Sequence, residues 1–263
     1  MKIGIIGGGN MGGAIAQGLY ESNTIDAKDI YVCDRNKSTL DLLQKKQHDI
    51  NVSTDNSALV DNADIIILAV KPWLVKEILT GIAPKINFSK QIIISIAAGI
   101  TLEELQSYVI DYSMHPVIFR LIPNTAIAVR QSMTFISHLN AGTDQVTTVK
   151  NIFDALGQAM VIEERLMPGA TAICSCGLAY AMRYIRASTE GGVELGFYAD
   201  QAKNMIIQTL RGAIELLEAT GNNPETEIDK VTTPGGITIK GLNAMEAHGF
   251  TTAVIEGLKA SVK

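Results

Sequence analysis

The sequence has little of what a disulfide scaffold, a nucleic-acid binder or a membrane protein is built from. Three cysteines, Cys33, Cys174 and Cys176, are an odd number with no C-x-x-C spacing, which argues against a disulfide framework or a structural zinc site and fits a reducing compartment. The four histidines, His48, His115, His138 and His248, are scattered without ligand spacing, so no metal is expected. Lys and Arg number 22 against 27 Asp and Glu, a net charge of −5, and no basic block occurs; a partner held through phosphate contacts is not expected. Aromatics are 5% of the chain and Trp73 is the one tryptophan, too few for a base-stacking platform. The run from Met1 to Ile6 meets glycine too soon for a signal-peptide core. The longest apolar stretches, 65–70 and 92–100, are strand-sized, well under the roughly 20 residues a bilayer span needs. A cytoplasmic protein without nucleic-acid or membrane partners is the expectation.

What is present is apolar residue and glycine. Hydrophobic residues are 47% of 263, charged residues 19%, and there are 23 glycines, enough for a substantial core in one to two domains. Short apolar runs alternate with amphipathic ones. Strands are expected at 2–6, 30–33, 50–52, 64–69, 91–96, 117–121, 133–137 and 159–162. Helices are expected at 11–21, 38–46, 56–61 (capped by Asn56), 74–79 and 143–155, and a Thr101-x-x-Glu104 capping box opens another. This alternation predicts an α/β fold with a doubly wound parallel sheet. Near 163–168 the β-branched clusters fade and long helical patterns follow at 177–191, 199–220, 237–247 and 251–261, with a break at Gly221-Asn222-Asn223-Pro224. The domain boundary is expected at about 164, giving 1–164 and an all-α 165–263. A helical region with long apolar stripes argues for packing against a second copy, a homodimer.

Gly7-Gly8-Gly9-Asn10-Met11-Gly12 follows the first strand and opens a helix. In that context G-x-G-x-x-G is a dinucleotide fingerprint: Gly7 makes the tight turn, Gly9 lets a diphosphate approach, and Gly12 lets helix and strand pack closely. A glycine-rich turn without a ligand is the plainer reading. Asp34 ends the second strand, where an acid takes the ribose hydroxyls of NADH, while the adjacent Arg35 suits the 2′-phosphate of NADPH; Asp34 as cap of the following helix is the structural alternative. Ala69-Val70-Lys71-Pro72, Ala97-Ala98-Gly99 and Arg120-Leu121-Ile122-Pro123-Asn124-Thr125 lie at the carboxyl ends of later strands, the edge where open α/β sheets bind ligands. By itself Lys71 reads as a surface lysine. Thr232-Thr233-Pro234-Gly235-Gly236-Ile237-Thr238 runs into a helix, exposing backbone N–H groups flanked by hydroxyls, a site suited to a small carboxylate or simply a capping turn. Cys174 and Cys176 read as buried, inert thiols.

Together these segments resemble the pyrroline-5-carboxylate reductase family over essentially the whole chain, and Thr233-Pro234-Gly235-Gly236-Ile237-Thr238 is the most specific match. The resemblance implies a Rossmann domain followed by an all-helical dimerisation domain, NADPH or NADH as cofactor, 1-pyrroline-5-carboxylate as substrate, and a homodimer that in many members assembles into a decamer. It implies cofactor contacts at Asn56 and at Ala69, Val70 and Lys71, with Thr238 and the neighbouring glycines on the substrate. The expected cofactor set is thus Gly7, Gly9, Asn10, Met11, Gly12, Asp34, Arg35, Asn56, Ala69, Val70, Lys71, Pro72, Ala97, Gly99 and Asn124. The expected substrate set is Thr233, Gly235, Gly236 and Thr238, with Thr238 as the catalytic candidate.

Two departures stand out. Cys174-Ser175-Cys176-Gly177-Leu178-Ala179 replaces the family's usual Ser-Gly-x-Gly-Pro-Ala, and Pro123-Asn124-Thr125-Ala126 its Pro-Asn-Thr-Pro. The first leaves open a reductase of another cyclic imine or of a small 3-hydroxy acid. A catalytically idle dinucleotide-binding relative is the alternative from outside enzymes, against which the intact Gly235, Gly236 and Thr238 argue.

Overall fold

A computed structural model describes residues 1–262. It divides into two compact units, Met1–Ser175 and a second from Cys176 onward.

The first unit is one eight-stranded sheet in the order β3-β2-β1-β4-β5-β6-β7-β8. The strands are β1 (Ile3–Ile6), β2 (Ile30–Cys33), β3 (Asn51–Ser53), β4 (Ile65–Leu68), β5 (Ile92–Ser95), β6 (Ile118–Ile122), β7 (Ser132–Leu139) and β8 (Gly157–Val161). The helices of this unit are α1 (Asn10–Ser22), α2 (Lys37–Lys46), α3 (Asn56–Val60), α4 (Pro72–Ile82), α5 (Leu102–Ser107), α6 (Thr143–Asp154) and α7 (Met167–Ala170).

Burial on both faces explains the unbroken isoleucine strands. Ile65, Ile67, Ile92 and Ile94 face one core with α1, α2 and α6. Ile66, Leu68 and Ile93 face the other with α3, α4 and α5. Each fully buried isoleucine contributes about 1.5–3 kcal/mol of transfer free energy.

The doubly wound sheet is present, with one correction to its parallel arrangement. β7 pairs antiparallel with β6 and parallel with β8, so these last two strands run against the other six. The cause is a short return: a 3₁₀ turn at Thr125–Val129 joins β6 to β7 without a crossover helix. A second correction concerns the start of α3, where Asp55 accepts the Ser57 N–H and Asn56 is already inside the helix. The Thr101–Glu104 box is present on α5.

Residues 164–175 pack with the sheet. Met167 and Ala170 join Ile122 and Phe135 in a small core, which is why the compact unit runs eleven residues beyond the boundary read from composition. A π-helical turn occupies Thr171–Cys176.

The second unit is all-helical: α8 (Gly177–Glu194), α9 (Ala199–Thr220), α10 (Pro224–Val231), α11 (Ile237–Ala247) and α12 (Phe250–Ala260). α8 and α9 meet where Gly192 lies against Ala202, and the Tyr180 hydroxyl on α8 donates to the Gly257 carbonyl on α12 at 3.1 Å. α10 stands where the sequence pattern predicts only a break; Asn223 caps it and Pro224 is its first residue. Ala202 is the only fully buried residue among the described residues of this unit, while Leu195, Tyr198, Ile214, Leu216 and Ile237 are largely exposed.

Candidate active site

β1, β2, β4, β5 and β6 run parallel, so the segments that follow them share one sheet edge. The strand order reverses direction between β1 and β4, the switch point at which such sheets bind ligands. The glycine loop sits there. Gly7 has φ +105° and donates its N–H to the Cys33 carbonyl at 2.7 Å; a Cβ on it would lie 2.5 Å from the Ala69 carbonyl oxygen. A Cβ on Gly12 would overlap the Gly7 carbonyl. Gly9 differs, because a Cβ there meets nothing within 4 Å. It precedes α1, whose first turn has neither a side-chain cap nor an acidic residue. The first-turn N–H groups and the positive end of the helix dipole therefore stand uncompensated beside open space, a fit for a diphosphate. Asn10 is exposed and Met11 half-buried on that turn.

Asp34 is tied to this loop. Its Oδ2 accepts the Gly8 N–H at 2.8 Å and its Oδ1 the Asn36 N–H at 2.8 Å. It is not the cap of α2; Asn36 is, accepting the Ser38 N–H. Arg35 is exposed beside it.

Lys71 is the exposed residue that leads into α4, with Pro72 at the first helical position. Ala69 and Val70 are half-buried, as is Asn56 at the start of α3. Ala97 is 3% exposed and its methyl belongs to the core, which leaves its backbone, not its side chain, for any ligand. Gly99 is exposed with φ +81°, and a Cβ on it would meet nothing within 4 Å. Both ends of the Asn124 side chain are engaged within the protein: Oδ1 accepts the Ala126 N–H at 2.9 Å, and Nδ2 donates to the Cys174 carbonyl at 3.1 Å. A π-helical turn breaks the regular carbonyl pairing, and Asn124 supplies one of the missing donors.

Arg120 is buried in β6 on the face opposite Phe119 and Leu121. Its Nη1 donates to Glu164 Oε1 at 2.8 Å, and its Nε has no partner among the described residues. Removing Glu164 would leave the buried guanidinium without its carboxylate partner, a destabilising change. Sequence reasoning gave Glu164 no role, although an arginine inside an apolar strand signals that a carboxylate must come from elsewhere.

In the helical unit Gly235 has φ +71°, Gly236 is the cap residue of α11, and no side chain caps that helix. The Gly236 N–H closes the turn onto the Thr233 carbonyl at 2.9 Å, and a Cβ on Gly236 would collide with Thr233 Oγ1. Thr238 is exposed in the first turn of α11. This is an open helix start with unpaired N–H groups and two nearby hydroxyls.

Pyrroline-5-carboxylate reductase 2 of Dictyostelium discoideum is 34% identical over 100% of this chain and 91% of its own length. The chain belongs to the pyrroline-5-carboxylate reductase family. A family profile described as pyrroline-5-carboxylate reductase dimerisation matches residues 164–263, and one described as NADP oxidoreductase, coenzyme F420-dependent, matches 2–99. Pyrroline-5-carboxylate reductase 1 of Dictyostelium discoideum is 38% identical over 98% of this chain, which spans about half, 48%, of that longer protein. Among solved structures, Plasmodium falciparum pyrroline carboxylate reductase with NADP bound superposes with a TM-score of 0.89 at 28% identity, covering 100% of this chain and 95% of that one.

The cysteines of this reductase-family chain differ in setting. Cys33, at the end of β2, is fully buried; burial pushes its thiol up to about 11, and the Asp55 and Asp34 carboxylates add to the shift. Cys174 and Cys176 are half-buried rather than buried, and burial raises the Cys174 thiol.

Proposed function

We infer that this chain reduces 1-pyrroline-5-carboxylate to L-proline with NAD(P)H. The observation that carries the reading is full-length similarity to pyrroline-5-carboxylate reductases in a chain whose glycine loop and α11 turn are both open to anions. NAD(P)H, when bound, supplies a hydride from nicotinamide C4 to the imine carbon. The chain's own work is positioning. Gly7, Gly9, Asn10, Met11 and Gly12 lay the diphosphate against the start of α1. Asp34 and Arg35 frame the adenosine ribose. Asn56, Ala69, Val70, Lys71, Pro72, the Ala97 backbone and Gly99 border the remainder of the cofactor, with Asn124 acting through the backbone it holds. Thr233, Gly235 and Gly236 receive the substrate carboxylate at the start of α11, where the helix dipole favours an anion. The Thr238 hydroxyl orients the ring nitrogen, or relays the proton that the nitrogen carries in the product.

The exposed apolar side chains of α8–α12 support a homodimer formed through the helical unit, since one buried residue among its described residues makes no core for a lone unit. Further assembly into a decamer and a cytoplasmic location complete the proposal. Oxidation of NADPH and of NADH on adding 1-pyrroline-5-carboxylate tests it, and no turnover with either cofactor refutes it. The Cys174–Leu178 departure favours one second reading, a reductase of a different cyclic imine or a small 3-hydroxy acid, and a panel of such substrates separates the two.

A further inference from the structure

We propose that Glu164 is a positioning residue for the reductive step, holding the loop between β5 and α5 through a single carboxylate oxygen shared with Arg120. The proposal rests on the reading of the site given above.

The loop, residues 96–101, carries Ala97, Ala98 and Gly99 at the ligand-binding edge of the sheet. One end is held by a serine of a buried polar row, the other by a half-buried carboxylate paired with the arginine of that row. β5, β6 and β7 place Ser95, Arg120 and Ser137 side by side in register, on the face otherwise filled by the apolar core of α3, α4 and α5. At one end of the loop, Ser95 Oγ accepts the Ala97 N–H at 3.3 Å. At the other end, Glu164 Oε1 accepts the Leu102 N–H at 2.7 Å, and the same oxygen accepts from Arg120 Nη1 at 2.8 Å. Between these anchors Ala98 and Gly99 are exposed.

Helix stability alone does not call for this tie. α5 already has a reciprocal cap from its own sequence, with Thr101 Oγ1 accepting the Glu104 N–H and Glu104 Oε2 the Thr101 N–H. Glu164 adds a bond to the next orphan donor from a residue 62 positions away. Nor does stability call for it, because replacing such a pair, here buried on the arginine side, by well-packed apolar side chains is often neutral. The pair instead fixes geometry. Arg120 stands between Ser95 and Ser137 of the two flanking strands, so its guanidinium sets where Glu164 Oε1 lies, and that oxygen sets where α5 and the end of the loop begin. A loop bordering the reacting ring must be held closely, since a displacement of about 1 Å can cost about a hundredfold in rate. Glu164 acts through the loop and touches no reacting atom in this account.

The test compares wild type with Glu164→Gln, Glu164→Ala and the double variant Arg120→Met/Glu164→Leu. The double variant replaces the buried pair by apolar side chains and keeps the fold testable if Glu164→Ala does not. Four quantities are measured: kcat, KM for 1-pyrroline-5-carboxylate, cofactor Kd, and amide hydrogen exchange of peptides covering 96–105. The expected result for Glu164→Ala and the double variant is a kcat reduced about 10- to 100-fold. Cofactor Kd should stay within about threefold, because the loop does not carry the diphosphate, and exchange should quicken at 96–105. Glu164→Gln, which keeps an oxygen acceptor at the same place, should recover most of the kcat. Wild-type kcat in the folded double variant, or undiminished protection at 96–105, overturns the proposal. A wild type with no turnover refutes the functional reading and the catalytic part of this proposal together. The exchange comparison, which needs no activity, then still decides whether the tie exists.

Discussion

The Gly8 amide donates to Asp34 Oδ2 at 2.8 Å, so the acid at the end of β2 is fastened to the middle of the glycine loop. With Oδ1 taken by the Asn36 N–H, the carboxylate is held in one orientation beside the open space over Gly9. A fixed negative charge there repels a 2′-phosphate and favours a free ribose hydroxyl. Asp34→Asn removes the charge and keeps an oxygen for the Gly8 amide; Asp34→Ser removes both. Each should raise the NADPH-to-NADH ratio of kcat/KM by about tenfold. An unchanged ratio in both variants would make Asp34 a purely structural tie.

Gly9 and Gly12 should respond differently to added bulk. Gly9→Val fills the open space and should weaken cofactor binding at least about tenfold while thermal melting stays near wild type. Gly12→Ala places a methyl on the Gly7 carbonyl and should lower the melting temperature. Isothermal titration with cofactor and calorimetric melting read the two effects; unaltered affinity in Gly9→Val would remove the diphosphate from this loop.

Thr238→Ala should raise KM and lower kcat by about 10- to 100-fold, the range of one lost charge-assisted hydrogen bond. Cofactor Kd should not move. Crystals grown with proline should show its carboxylate at the Gly235–Thr238 turn. A carboxylate seated on Lys71 or Arg120, with that turn free of ligand, would remove the substrate carboxylate from the start of α11.

Cys33 gives the pH prediction. Its folded pKa, about 11, lies above the ordinary thiol value of 9.0. The neutral thiol therefore supports the fold fully below pH 9, and that support is lost as pH rises toward 11. The total is about 2–3 kcal/mol. Denaturant melts of wild type and Cys33→Ala between pH 8 and 11 separate the thiol's contribution from other alkaline titrations, with wild type expected to fall more steeply. Parallel curves would show that the thiol does not ionise on unfolding in this range.

Much of the first unit was legible because its signals are local. Period-free isoleucine runs mark strands buried on both faces, the G-x-G-x-x-G opens α1, and Thr101 with Glu104 announces α5. The direction of β7 was not legible, since a mixed strand such as Ser132–Leu139 carries the same pattern whichever way it runs. The partner of Arg120 was hidden by the 44 residues that separate it from Glu164. Gly8 was passed over for Gly7, Gly9 and Gly12, because a backbone amide that binds a distant carboxylate leaves no trace in spacing. In the helical unit α9 and α11 were placed to the residue, while α10 was missed although Asn223-Pro224 is a helix start. The candidate site was legible as segments; how Asn124 and Asp34 use both ends of their side chains within the protein was not.

The central claim, hydride transfer to a cyclic imine, is tested most directly by isotope. Enzyme, 1-pyrroline-5-carboxylate and NADPH or NADH deuterated in turn at each face of nicotinamide C4 are incubated, and the product is analysed by mass spectrometry and NMR. The account predicts proline carrying one deuterium, on Cδ, the ring carbon next to nitrogen that bears no carboxylate, from one of the two faces. Proline without deuterium from either face, or no proline at all, would contradict it.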